Sequence, residues 1–184
     1  DTYRMCFEMN SYFRGISDDT EVFQLRTFSS EMNLWNFFTD LNGENIVELL
    51  ERQFQCKGAG IPEVYYKPRL LKQYENIILV DKNYISGIKL GWHYDENSFA
   101  REIQKELTSN PKSNKVEYVD TTEQDLFTYA DMIYSCAHFI TVLSGGAALA
   151  ACFKKSFTAL LPYDVFGGSV EQFVFKESKG VYVK

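Results

Sequence analysis

Between residues 76 and 162, short apolar runs alternate with segments of helical spacing, and this alternation constrains the fold more than any other feature of the chain. Ile77-Ile78-Leu79-Val80 is a continuous apolar run closed by Asp81-Lys82-Asn83, the pattern of a strand covered on both faces. Residues 97–109 predict a helix, with Asn97 or Ser98 at the cap, Phe99, Ile103 and Leu107 on one face and Asn110-Pro111 as the stop. Val116 to Val119 reads as a second strand. Thr121-Thr122-Glu123-Gln124 then offers a capping box ahead of Leu126, Ala130, Ile133 and Ala137, which recur at helical spacing. A third strand over 139–143, a third helix over 147–153 and a fourth strand over 157–161, closed by Pro162, complete the series. Such a series predicts an α/β fold: an open parallel, Rossmann-like sheet with right-handed crossovers and helices on both faces.

The flanks are less regular. Residues 1–40 are rich in aromatics without a long period, and Val22 to Phe28 has strand character. From Asn42, the residues Ile46, Leu49, Leu50 and Phe54 fall on one helical face that ends near Lys57-Gly58. Gly58-Ala59-Gly60-Ile61-Pro62 and Tyr65-Tyr66-Lys67-Pro68 read as a connection. We therefore expect two units: residues 1–60 as the end of an N-terminal domain with a linking helix, and residues 61–184 as the sheet domain. After Pro162 two readings stay open. Ser169-Val170-Glu171-Gln172 can cap a last helix, or Phe173 to Phe175 and Val181 to Val183 can form a hairpin around Lys179-Gly180.

Ligands of open parallel sheets sit at the carboxyl ends of the strands. That rule places Asp81 to Asn83, Asp120 to Thr122, Ser144 to Gly146 and Tyr163 to Gly168 along one rim. Within it, Ser144-Gly145-Gly146 separates an apolar strand from a helix of small residues. Its glycines permit a sharp turn and a close approach of backbone to ligand. The helix that follows offers unpaired N–H groups and the positive end of its dipole, which suits a phosphate. A turn needed only for packing has the same sequence.

Bulk properties narrow the field. A net charge of −6 over 184 residues argues against a dedicated nucleic-acid binder, which collects Lys and Arg on one face. No apolar stretch reaches the roughly 18 residues of a transmembrane helix, and the N-terminus lacks the order of a signal peptide. The four cysteines, Cys6, Cys56, Cys136 and Cys152, are too scattered for a zinc site or a disulfide framework, which favours free thiols in a reducing cytosol. No ligand set for a tight metal site or a cofactor is apparent.

Four features in order resemble the C-terminal, donor-binding half of GT-B glycosyltransferases, in particular the lipopolysaccharide heptosyltransferase group. Ile88-Lys89-Leu90-Gly91-Trp92 resembles that group's K-x-W-P segment, with Lys89 and Trp92 one residue further apart and His93 in place of the proline. The segment Tyr129-Ala130-Asp131-Met132-Ile133 loosely resembles the next helix. Leu143-Ser144-Gly145-Gly146-Ala147-Ala148-Leu149-Ala150-Ala151 resembles D-S-G-x-x-H-L-A-A, with Leu143 at the aspartate position and Ala148 at the histidine position. An apolar strand ending in proline follows. Another glycosyltransferase group, with an H-G-A-x-L-x-N turn, matches at Gly146, Ala147 and Leu149.

The resemblance implies transfer of a sugar from a nucleotide-sugar donor to a carbohydrate or lipid-linked acceptor in surface polysaccharide synthesis, without a required metal or other cofactor. It implies a cytoplasmic location, with peripheral association at the inner face of the membrane as an extension. Substrate-binding candidates are Ser144, Gly145, Gly146, Lys89, Thr122 and Asp81. Lys89 would neutralise phosphate as a point charge, although a solvated lysine beside a turn reads the same. Thr122 would contact ribose or phosphate, and a capping role also accounts for it. His138 leads into a buried strand and reads as a hydrogen-bonded structural residue. No residue is assigned as catalytic. A non-catalytic nucleotide-sugar or carbohydrate-binding domain is the alternative, because the Leu143 and Ala148 positions lack the family's polar groups. Transfer of another group, such as pyruvate, to a surface polysaccharide stays open on the same kind of sheet.

Overall fold

The computed structural model describes residues 47–48, 60–84, 93–120, 124–162 and 174–183. The expected strand at 22–28, most of the helix expected from Asn42 and the cap at 169–172 lie outside them. The described residues form a five-stranded, all-parallel sheet: β1 (Ile77–Asp81), β2 (Lys115–Tyr118), β3 (His138–Val142), β4 (Ser156–Leu160) and β5 (Lys179–Val183), in the order β2-β1-β3-β4-β5. Three helices accompany it: α1 (Glu96–Ser109), α2 (Leu126–Ser135) and α3 (Gly145–Cys152). The expected α/β fold, an open parallel sheet with helices on both faces, is the observed one.

The order explains where the helices lie. The step from β1 to β2 runs toward one edge of the sheet, whereas β2 to β3 and β3 to β4 run toward the other. Right-handed crossovers therefore put α1 on one face and α2 and α3 on the opposite one. Side chains sort accordingly, because successive residues of a strand point to opposite faces. Ile78, Val80, Ile140, Val142 and Leu160 join Phe99, Ile103 and Leu107 of α1. Leu79, Phe139, Phe157 and Ala159 join Tyr129, Met132 and Ile133 of α2 and Ala147, Ala150 and Ala151 of α3. All residues of β1 and β3 are buried, as their continuous apolar runs require. Burial of Phe99, Phe139 and Phe157 stabilises each layer by roughly 1.5–3 kcal/mol per ring.

Three local expectations change. The cap of α1 is Asp95, whose side chain accepts from the Asn97 amide at 3.0 Å. The cap of α2 is Asp125 rather than the Thr121–Gln124 capping box. Its carboxylate accepts from the Phe127 and Thr128 amides at 2.9 and 3.0 Å and from the Thr128 hydroxyl. An aspartate at this position satisfies orphan amides and complements the helix dipole. These contacts, led by the Thr128 hydroxyl, hold the Asp125 carboxyl below its ordinary range. Among the described residues no terminal hairpin forms. Lys179 and Gly180 lie inside β5, which runs parallel to β4, and the turn sits earlier, at residues 176–177, with Glu177 left-handed at φ 55°. Gly180 fits there because a Cβ would lie 2.3 Å from Phe157 Cζ.

The connection at residues 61–71 is docked on α2. Asp131, fully buried, accepts from the Tyr66 hydroxyl at 2.6 Å, the Arg69 amide at 2.8 Å and Arg69 Nε at 2.7 Å. One turn on, the Ser135 hydroxyl accepts from the Leu71 amide at 2.7 Å. This places Asp131 in a structural role.

Candidate functional site at the carboxyl edge

All strands being parallel, their carboxyl ends share one edge, and the chain reverses its direction of travel across the sheet between β1 and β3. Open α/β sheets form their binding crevice at such a switch point. Asp81 at the end of β1 and Thr141 near the end of β3 are cross-strand partners there. Asp81 is buried and both of its oxygens are occupied. Oδ1 accepts from the Asn83 amide at 2.8 Å, and Oδ2 accepts from the Tyr129 hydroxyl at 2.5 Å. Asn83 Nδ2 in turn donates to the Val119 carbonyl at 3.3 Å, tying the ends of β1 and β2 together. Burial, reinforced by the Asp81 charge, pushes the Tyr129 phenol far above its ordinary range, so it remains a hydrogen-bond donor at neutral pH.

Ser144 is the N-cap of α3. Its hydroxyl accepts from the Gly146 amide at 3.3 Å and lies 3.4 Å from the Thr141 hydroxyl. Neither Gly145 nor Gly146 has positive φ, the one described glycine that does being Gly60. The two glycines differ in their surroundings. Gly146 is buried, and a Cβ there would stand 2.3 Å from the Tyr129 hydroxyl and 3.2 Å from Phe139 Cζ. Gly145 is exposed, and its Cβ would meet nothing within 4 Å. Gly146 therefore lets α3 close onto the Tyr129–Asp81 pair, while at Gly145 the position a Cβ would take is open among the described residues. Amides of that first turn have no intrahelical acceptor, and the N-cap serine takes one of them, from Gly146.

Of the six residues singled out from sequence, Ser144, Gly145, Gly146 and Asp81 lie together at this carboxyl edge. Lys89 and Thr122, with residues 163–168 of the same rim, lie outside the described residues. Asp81 has a structural role there, since its two oxygens accept from Asn83 and Tyr129. Tyr129 is a residue of this edge that the sequence does not single out. Its helical spacing gives no sign that the hydroxyl reaches the end of β1. Lys82 stands on the same edge, with Nζ 2.7 Å from Glu96 Oε2 and 5.0 Å from the centre of the Phe99 ring. It is an exposed pair of small energetic weight.

His138 lies at the opposite, amino end of β3. It is buried, with Nε2 2.9 Å from the Thr158 hydroxyl and Nδ1 3.2 Å from the Ser156 hydroxyl. Desolvation lowers its pKa against the opposing pull of Glu106. The imidazole is thus neutral at neutral pH, and the 3.8 Å approach of Glu106 Oε1 is not an ion pair there. A cleft of about 370 Å³ also opens at this amino edge, away from the switch point.

Among the described residues, no group of three or more His, Cys, Asp and Glu side chains is placed to hold a metal ion, and no helix is long and apolar enough to cross a membrane. Comparison of the chain with protein-family models, with curated proteins and with solved structures finds no match.

Proposed function

We propose that the crevice between β1 and β3 holds the diphosphate of a nucleotide sugar, as the donor-binding part of a GT-B-type glycosyltransferase acting on a carbohydrate or lipid-linked acceptor of surface polysaccharide synthesis. The observation that carries the reading is the position of Ser144-Gly145-Gly146. The turn stands at the topological switch point, at the positive end of α3, with Gly145 exposed and no described atom within 4 Å of where its Cβ would lie. Backbone N–H groups bind phosphate oxygens whatever the neighbouring side chains are. Leu143 and Ala148, which replace polar residues of the resembled signature, do not remove that capacity.

A second reading is favoured by Asp81. Its two oxygens are engaged by Asn83 and Tyr129, so it is not free to accept a proton from an acceptor hydroxyl. A domain that binds the nucleotide sugar or a carbohydrate without catalysing transfer fits this arrangement, as does an enzyme whose base comes from elsewhere in the protein. Calorimetric titration of the chain with UDP, GDP, ADP, CMP and their sugars tests both readings. A dissociation constant of about 100 µM or tighter, equivalent to about −5.5 kcal/mol, supports a donor site and names the nucleotide. Hydrolysis or transfer of the bound sugar separates the enzyme from the binding domain. Absence of binding to the whole panel contradicts a nucleotide-sugar site in either reading.

A further inference from the structure

The amino edge of the sheet carries a second cleft, lined by the exposed apolar side chains of Leu70 and Tyr134, by Phe153, and by Lys154, Lys155 and Lys179. Its volume, about 370 Å³, falls in the range of small-molecule sites. The three lysines come from two elements: Lys154 and Lys155 follow the end of α3, and Lys179 opens β5. Lys154 is held in the left-handed region at φ 53°, and the Lys154 and Lys155 amides close the helix by donating to Ala151 and Ala150 carbonyls at 2.9 Å. The backbone that presents these ammonium groups is therefore fixed.

Lysines after a helix commonly offset its negative end, and here α2 and α3 both end at the cleft. Lys155 Nζ donates to the Tyr134 carbonyl at 3.0 Å, and Lys154 Nζ lies 3.3 Å from Glu177 Oε2 in an exposed pair. Each helix end carries about half a negative charge, so the two ends and Glu177 offset about two of the three ammonium groups. About one positive charge is left over, in a chain whose net charge is −6. The Tyr134 and Phe153 rings meet edge to face at 5.9 Å beside it, giving the cleft an apolar wall and a cationic rim. Lysine ammoniums are compact point charges that bind phosphate without the fixed geometry of an arginine fork. Among the described residues, no arginine lines the cleft.

We propose that this cleft is a binding site for a small soluble organic phosphate, its apolar body against Leu70, Tyr134 and Phe153 and its phosphate on Lys179. The site is distinct from the carboxyl-edge crevice, since the strands between them span about 16 Å.

Titration of the full chain with phenyl phosphate tests the assignment. We expect one saturable site whose affinity falls with added salt. Lys179→Gln should weaken it about tenfold or more, as for loss of a charged hydrogen bond. Leu70→Glu, a change at a 57% exposed position, should abolish it with the circular dichroism unchanged. Gly145→Val, at the other edge, should leave it intact. Unaltered affinity in both Lys179→Gln and Leu70→Glu would overturn the proposal. So would inorganic phosphate binding as tightly as phenyl phosphate, because the apolar wall would then contribute nothing. Association with phosphatidic acid vesicles in the absence of phenyl phosphate binding would also overturn it, in favour of a lipid surface.

Discussion

Gly145 and Gly146 are adjacent and chemically identical, yet the fold treats them differently. Adding a methyl group at Gly146 drives a Cβ to 2.3 Å from the Tyr129 hydroxyl. Gly146→Ala should therefore cost about 1–3 kcal/mol through overpacking. Gly145→Ala, with nothing within 4 Å of the new atom, should be neutral or stabilising by up to about 1 kcal/mol. Denaturant titration of the two variants reads the contrast directly. Tyr129→Phe keeps the ring but leaves buried Asp81 Oδ2 without its donor. The expected loss is about 1–3 kcal/mol, and equal stability of Tyr129→Phe and the parent chain would show that the pair does not stabilise the carboxyl edge. None of this was legible in the sequence. A Ser-Gly-Gly turn announces itself, but which glycine faces the core depends on where α2 carries Tyr129. That is a contact between residues far apart in the chain.

At the scale of elements the sequence was more informative, for a physical reason. Strands buried on both faces must be continuously apolar, and helices packed by one face must repeat near 3.6 residues. Ile77 to Val80 and Phe99, Ile103 and Leu107 satisfy those demands with no help from the rest of the chain. What could not be read were the ends and the pairings. Asp125 outcompetes a capping box just ahead of it because it sits where the free amides are, and β5 joins β4 in parallel although its sequence suits a hairpin equally well. The docking of residues 61–71 was hidden for the same reason, since Asp131 looks like any helical aspartate. Asp131→Ala removes the acceptor of the Arg69 amide as well as the Tyr66 contact. We expect hydrogen exchange at the Arg69 and Leu71 amides to accelerate by at least about tenfold, while amides of β1 and β3 keep their protection. Uniform acceleration across the sheet would instead make the segment part of the global folding unit.

For the whole molecule, a sheet with the order β2-β1-β3-β4-β5 has a carboxyl edge and an amino edge, and their electrostatics differ. His138 at the amino edge is buried neutral, facing Glu106, Glu102 and Lys105 of α1 and Lys155 beyond α3. Its folded pKa lies below the value of about 6.5 that it regains on unfolding. The unfolded chain therefore binds the proton first as pH falls. Stability from the neutral histidine is fully present above about pH 6.5 and is lost on acidification. The thermal midpoint should fall between pH 7.5 and pH 5.5 in the parent chain and fall less in His138→Gln. At the carboxyl edge, the central claim is that the exposed turn at Gly145 holds a diphosphate. The most direct test is to titrate the tightest-binding nucleotide diphosphate into the parent chain and into Gly145→Val by calorimetry, with the thermal midpoint of each recorded. The account predicts at least about a tenfold loss of affinity in a variant that melts at the temperature of the parent. Undiminished affinity in an equally stable Gly145→Val would contradict it.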